Sequence, residues 1–140
     1  MVAIIIILAL ALLVVAGLLY AHRAVERADR TPVAERFPVL VESIIVGLFD
    51  GQATVTPVEG APSKLTISSA TKRNIAVRIG YSVGELRITL LHVFLNETFS
   101  HDFDTRELWD ASEERQRQIA ERFIKVARQK IEDHRRSSLF

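Results

Sequence analysis

The sequence predicts an α+β protein: an N-terminal single transmembrane helix followed by a small antiparallel sheet of four or five strands, backed by a long C-terminal helix. Three observations carry this. Residues 1–22 contain no Asp, Glu, Lys or Arg, so all 18 basic and 17 acidic side chains of the 140-residue chain lie beyond them. Stretches between residues 64 and 95 alternate in polarity, the period of a half-buried strand. Residues 112–136 carry apolar side chains at the period of an amphipathic helix.

The balance of these parts excludes several classes. Past the apolar segment the chain is about 30% charged, which is ordinary for a folded domain. One anchor, residues 1–21, a juxtamembrane helix and linker, residues 22–38, and one small domain, residues 39–140, account for the chain. A multi-domain enzyme and a polytopic transporter do not fit. With no cysteine there is no disulfide framework, thiolate zinc site, iron–sulfur cluster or Cys nucleophile.

Residues 1–21 read MVAIIIILALALLVVAGLLYA. As a helix they span roughly 31 Å, the thickness of a bilayer's hydrocarbon core. Only a helix satisfies its own backbone polar groups there. A cleaved signal peptide would need a basic n-region and a small-x-small cleavage site. No basic side chain precedes the run, and Leu19-Tyr20-Ala21 is a poor cleavage site. The segment therefore reads as an uncleaved anchor. Arg23, Arg27, Arg30 and Arg36 follow it. The positive-inside rule then puts the N-terminus outside and the domain in the cytoplasm, at a bacterial inner membrane. Arg23, Arg27 and Arg30 are placed to touch lipid headgroups.

Pro32 and Pro38 break the helix that continues past the membrane. Residues 39–49 admit two readings. Val39, Val41, Ile44, Ile45 and Val46 are β-branched, and Asp50-Gly51 is a favoured hairpin dipeptide leading into an alternating run at residues 52–58. This favours a strand. Leu40, Ile44 and Leu48 also share one helical face starting at Pro38, so a buried helix stays open.

Residues 64–69 and 75–81 alternate as half-buried strands, with Leu65 and Ile67, then Ile75, Val77, Ile79 and Tyr81, on one face. Residues 85–95 begin in the same way and become apolar on both faces at Leu91, Val93 and Leu95. A strand of that kind is central, or covered at its far end by another element or subunit. Residues 97–109 are polar and irregular, with Phe99, Phe103 and Trp109 as anchors. Ser112 offers an N-cap with acidic residues after it, opening the last helix. Ile119, Phe123, Val126, Ala127 and Ile131 form its core stripe. Arg122 and Arg128 flank the stripe and should face solvent.

Ser100-His101-Asp102 has the residue types of a catalytic triad, but consecutive side chains of an extended segment diverge. His101, Asp102 and Asp104 are a thin basis for a metal site, with no second ligand cluster. His92 within an apolar strand reads as a satisfied core histidine. There is no phosphate-binding glycine loop, and Asn96-Glu97-Thr98 is a chance sequon in a cytoplasmic domain. Lys72-Arg73, Arg78 and Arg87 give only modest basic patches, too weak for nucleic acid. The sequence thus points to no catalytic, cofactor-binding or metal residue. It suggests a non-enzymatic, single-span accessory subunit of a larger membrane protein complex, an energy-converting one being a candidate, held by protein–protein contact. Val39, Val41, Ile45, Leu48, Phe49, Leu91, Val93 and Leu95 are the expected docking residues. The partners are other membrane subunits and the bilayer. Two alternatives remain: a self-oligomerising scaffold, and a small module sensing an apolar ligand or lipid.

Overall fold

The computed structural model describes residues 1–30, 32–82, 84–106 and 111–139, and of residues 24–30 the backbone only. The chain runs α1 (Val2–Arg30), α2 (Val33–Arg36), α3 (Pro38–Phe49), β1 (Thr54–Val58), β2 (Ala61–Ser68), β3 (Ile75–Ser82), β4 (Glu85–Phe94), β5 (Glu97–Arg106) and α4 (Glu113–Leu139). The five strands form one antiparallel meander in sequential order. Helices α3 and α4 cover one face of it, so the architecture is α+β with an N-terminal apolar helix and a long C-terminal one.

Helix α1 is long and apolar enough over Val2–Arg23 to cross a membrane, and its apolar window is not buried against the rest of the chain. The segment that follows α1 is more than a spacer. Val33 and Phe37 are buried in the domain core. The Phe37 ring meets Tyr81 at 5.4 Å between centroids, and the Arg36 guanidinium lies 4.3 Å over the Tyr81 ring. These contacts place the point where the chain enters the domain at the β3–β4 end of the sheet.

Residues 39–49 are a helix, which overturns the strand preference. The Asp50-Gly51 pair explains the ambiguity. Both residues are left-handed, with φ of 54° and 80°. A type I′ hairpin needs that conformation, and so does a helix C-cap. Here the Gly51 N–H returns to the Ile45 carbonyl at 3.1 Å and closes the helix. Lys72 completes the end by donating to the Leu48 carbonyl at 3.0 Å and pairing with Asp50 at 3.1 Å. At the other end Pro38 occupies the first turn, where its missing N–H costs nothing. The N–H groups of Val39 and Leu40 both donate to Gln116 Oε1, at 3.0 and 3.1 Å. A side chain of α4 therefore caps α3.

Residues 97–106 are the fifth strand rather than irregular chain. Leu95 and Asn96, with φ of 51° and 63°, form a two-residue left-handed turn, and Phe94 pairs with Glu97 across it. No glycine marks this turn, so the usual hairpin signal is missing. In β5 Phe99, His101 and Phe103 alternate toward the helices, and Ser100, Asp102 and Asp104 alternate away. Trp109 lies outside the described residues.

The core fills the space between sheet and helices. Leu65, Ile67, Val77, Ile79, Leu86, Ile88 and Leu90 come from the strands. Leu40, Ile44, Leu48 and Phe49 come from α3, and Ile119, Ala120, Phe123 and Ala127 from α4. Val126 is only half-buried, while Gln116 and His134 join the buried side of α4. The α4 N-terminus is capped by Ser112 Oγ, which accepts the Arg115 N–H at 3.1 Å. Helices α3 and α4 approach closely at Gly47, where a Cβ would run into the Ile124 side chain. Arg128 does not simply face solvent. It donates to the Gly47 carbonyl at 2.8 Å across this contact.

Candidate functional site

The ten-residue strand β4 rises about 33 Å from the entry end of the domain to the Leu95–Asn96 turn. The turn therefore marks the pole away from α1. The expected docking residues divide by their position on this frame. Val41, Leu48 and Phe49 are buried at 6%, 4% and 1% exposure. Their expected place on an open docking surface is corrected, since α3 turns them into the chain's own core. Val39 and Ile45 are half-buried on the flanks of α3. Val46, which the sequence reading passed over, is the open aliphatic residue of that helix at 61%.

Leu91, Val93 and Leu95 behave differently. Leu91 and Val93 occupy alternate positions on the sheet face that no helix covers, and Leu95 sits at the tip. Leu91 is half-buried, Val93 is 44% exposed and Leu95 is 61% exposed. A bulky residue at positive φ is uncommon, because its Cβ crowds the following carbonyl. Leu95 therefore combines backbone strain with an apolar side chain in water. Leu139, at the end of α4, is 62% exposed.

Beneath this pole lies a buried polar cluster. His92, from β4, and His134, from the last turns of α4, face each other with Nδ1 atoms 2.7 Å apart. One ring must donate and the other accept, so the pair holds one proton between these atoms. Asn74 lies 3.5 Å from His92 Nε2. Glu97 stands 4.0 Å from His134 Nε2 and accepts the Ser138 hydroxyl at 2.9 Å. Phe99 stacks on His134 at 5.3 Å. Burial lowers the His92 pKa below its ordinary value, and the neighbouring His134 and Arg135 push it the same way. The cluster ties the end of α4 to the sheet through the His92–His134 hydrogen bond. His92 is thus a core histidine, and its partner is one that its sequence neighbourhood did not announce.

The remaining polar residues separate by strand alternation. His101 faces inward beside Phe99, while Ser100, Asp102 and Asp104 face outward. No common point receives His101 and the aspartates together. Among the described residues no group of three or more His, Asp or Glu side chains is placed to hold a metal ion. Asp104 instead accepts from Arg87 Nε at 2.9 Å, and Asp102 accepts from the Thr89 hydroxyl at 2.8 Å. The hydrogen bond to Asp104, with Asp104 and Glu85 charge nearby, raises the Arg87 pKa above its ordinary value. Arg73 donates to the Ala70 carbonyl at 3.1 Å, so the Lys72-Arg73 pair is engaged locally. Of the expected headgroup contacts, Arg23 is exposed. The side chains of Arg27 and Arg30 lie outside the described residues. No protein-family model, no curated protein and no solved structure matches the chain.

Proposed function

We propose that the protein is a single-span accessory subunit of a larger membrane protein complex, acting by protein–protein contact without chemistry of its own. The observation that carries this reading is Leu95: an exposed leucine held at positive φ on the pole farthest from the anchor. Such strain persists when it serves a contact, because an Asn-Gly pair would make the same turn without the strain. Val93 beside it extends the apolar tip. The partner is another membrane protein whose face lies about 30 Å beyond the domain's entry point, the reach of β4. The complex is proposed to be an energy-converting assembly of a bacterial inner membrane.

The basic residues Arg23, Arg27, Arg30 and Arg36 after the apolar helix support a cytoplasmic domain and an outer N-terminus. Arg23, Arg27 and Arg30 would each add about 1 kcal/mol of attraction to anionic headgroups. A C-terminal alkaline-phosphatase fusion that is active overturns this orientation. The docking reading is tested on the full chain in mild detergent. The wild type should co-purify with other membrane proteins, and Leu95→Asn with Asn96→Gly should lose them without losing stability. A wild-type protein that runs alone, with nothing bound, removes the reading.

A further inference from the structure

The uncovered face of the sheet carries a pattern that becomes legible when the strand register is followed across it. Lys64, Gly80, Arg87 and Asp104 form one row across β2, β3, β4 and β5, and Arg78 stands two residues from Gly80 on the same face of β3. From strand spacing and rise, the backbone sets Lys64 and Arg87 about 5 Å to either side of Gly80, and Arg78 about 7 Å along the strand. The three cations and Thr66 line an open depression of about 480 Å³. A second depression, of about 550 Å³, continues past Pro62 and Ser82 and shares Lys64, Gly80 and Arg87 with the first. The backbone does not require a glycine at position 80. Its φ lies outside the left-handed region, and the register runs through it without a bulge. A Cβ there would make only an ordinary 3.6 Å contact with Lys64. A glycine inside a strand weakens it and often marks the close approach of a ligand. The cations also differ in how they are held. Arg87 is occupied by Asp104 at 2.9 Å and Glu85 at 3.4 Å. Among the described residues Lys64 and Arg78 pair with no carboxylate. They are diagonal neighbours on adjacent strands, where like charges repel.

From this pattern we infer that the depression over Gly80 binds a phosphate monoester. Such a group carries a charge of about −2 at neutral pH, which is what Lys64 and Arg78 leave unmatched. Both cations donate charge-assisted hydrogen bonds to its oxygens, Arg78 through two N–H groups at once. Thr66 adds a hydroxyl donor. Arg87, fixed by Asp104 and Glu85, is a wall of the site and adds little net charge. Gly80 lets the anion approach the β3 backbone, where a side chain would stand in its way. A phosphate alone does not fill the two depressions, whose volumes are those of small-ligand sites, about 300–1,000 Å³. The organic part of the ester therefore lies toward Pro62 and Ser82. The site is open to solvent, so charge sets much of its affinity and salt weakens binding. Two kinds of molecule present this group: a soluble phosphate ester and the headgroup of phosphatidic acid. The site lies at the opposite end of the sheet from Leu95 and does not rest on the contact proposed there.

The test follows the Gly80 amide resonance by NMR in the full chain, held in zwitterionic detergent micelles at neutral pH. Inorganic phosphate is titrated at fixed ionic strength, with chloride as the balancing anion. In separate samples phosphatidic acid or phosphatidylcholine is added to the micelles. A saturable shift is expected with phosphate, with phosphatidic acid, or with both, and none with chloride or phosphatidylcholine. A shift with phosphate alone assigns a soluble ester, a shift with phosphatidic acid alone assigns the lipid headgroup, and a shift with both shows that the phosphate group suffices. Lys64→Gln and Arg78→Gln should each weaken binding about tenfold, since each removes a hydrogen bond to a charged group. Gly80→Leu should weaken it about as much by filling the floor, with the melting temperature unchanged. Arg73→Gln, outside the depression, should leave binding as it is. No saturable shift with either phosphate probe, the same shift with chloride, or undiminished binding when Lys64→Gln and Arg78→Gln are combined each overturns the site.

Discussion

The two faces of the sheet are built from the same strands and obey opposite rules. The inner face presents Leu65, Ile67, Val77, Ile79, Leu86, Ile88 and Leu90 to α3 and α4, and each is essentially removed from water. The outer face presents Lys64, Thr66, Arg78, Thr89 and Asp102 between hollows at Gly80 and Ala76, with Leu91 and Val93 as its apolar part. On the inner face identity follows from volume and polarity, because a packed core penalises voids. On the outer face the chain's own ties are the exposed Arg87–Asp104 and Thr89–Asp102 hydrogen bonds, so a change there costs the fold far less than one in the core. Stability should therefore respond to inner-face changes, and association to outer-face ones.

The strongest way to break this contrast is Phe123→Ala. Phe123 is fully buried, with its ring edge against Phe103 at 6.0 Å between centroids. The cavity should cost about 3–5 kcal/mol in chemical denaturation of the full chain. A harmless Phe123→Ala would mean that α4 does not pack on this sheet, and the covered face would lose its definition. Next comes Gln116→Leu, which keeps the apolar bulk and deletes the cap on α3. Leaving the Val39 and Leu40 N–H groups unmet should cost about 1–3 kcal/mol. A neutral result would show that water caps α3 just as well.

A pH series sharpens the comparison at the far pole. Because the folded His92 pKa is lowered by burial, then by His134 and Arg135, the unfolded chain takes up its proton first as pH falls. The His92 contribution is full above about pH 6.5 and declines as pH drops from there toward its lower folded value. Denaturation midpoints compared at pH 7.5 and below 6 should show the decline, and His92→Leu with His134→Leu should flatten it. A slope that survives the double variant belongs to other groups. The smallest contrast is between two arginines of α4. Arg128→Ala should cost about 0.5–1.5 kcal/mol through the lost bond to the Gly47 carbonyl. Arg122→Ala, on an exposed side chain, should cost less than about 0.5 kcal/mol. Equal costs would show that the Arg128 bond is replaced by water.

What the sequence by itself determined are the elements whose signal is local and repeated. The apolar helix needs no neighbour to be recognised, because its length and lack of charge alone match a bilayer. The alternation of β2, β3 and β4 and the stripe through Phe123 are periodic, and a period specifies both the element and its buried side. Tertiary structure decided the rest. Asp50-Gly51 suits a hairpin or a helix cap equally, since both need left-handed backbone, and burial of Leu40, Ile44 and Leu48 against the sheet and α4, with Gln116 at one end and Lys72 at the other, made residues 38–49 a helix. Strand β5 carries its alternation among Ser, His and Asp, too polar to stand out until β4 supplies the pairing. His92 and His134 lie 42 residues apart, and no spacing rule joins them. The pattern on the outer face likewise exists only across strands, because the row of Lys64, Gly80, Arg87 and Asp104 is assembled by hydrogen-bond register, and register is a property of the folded sheet.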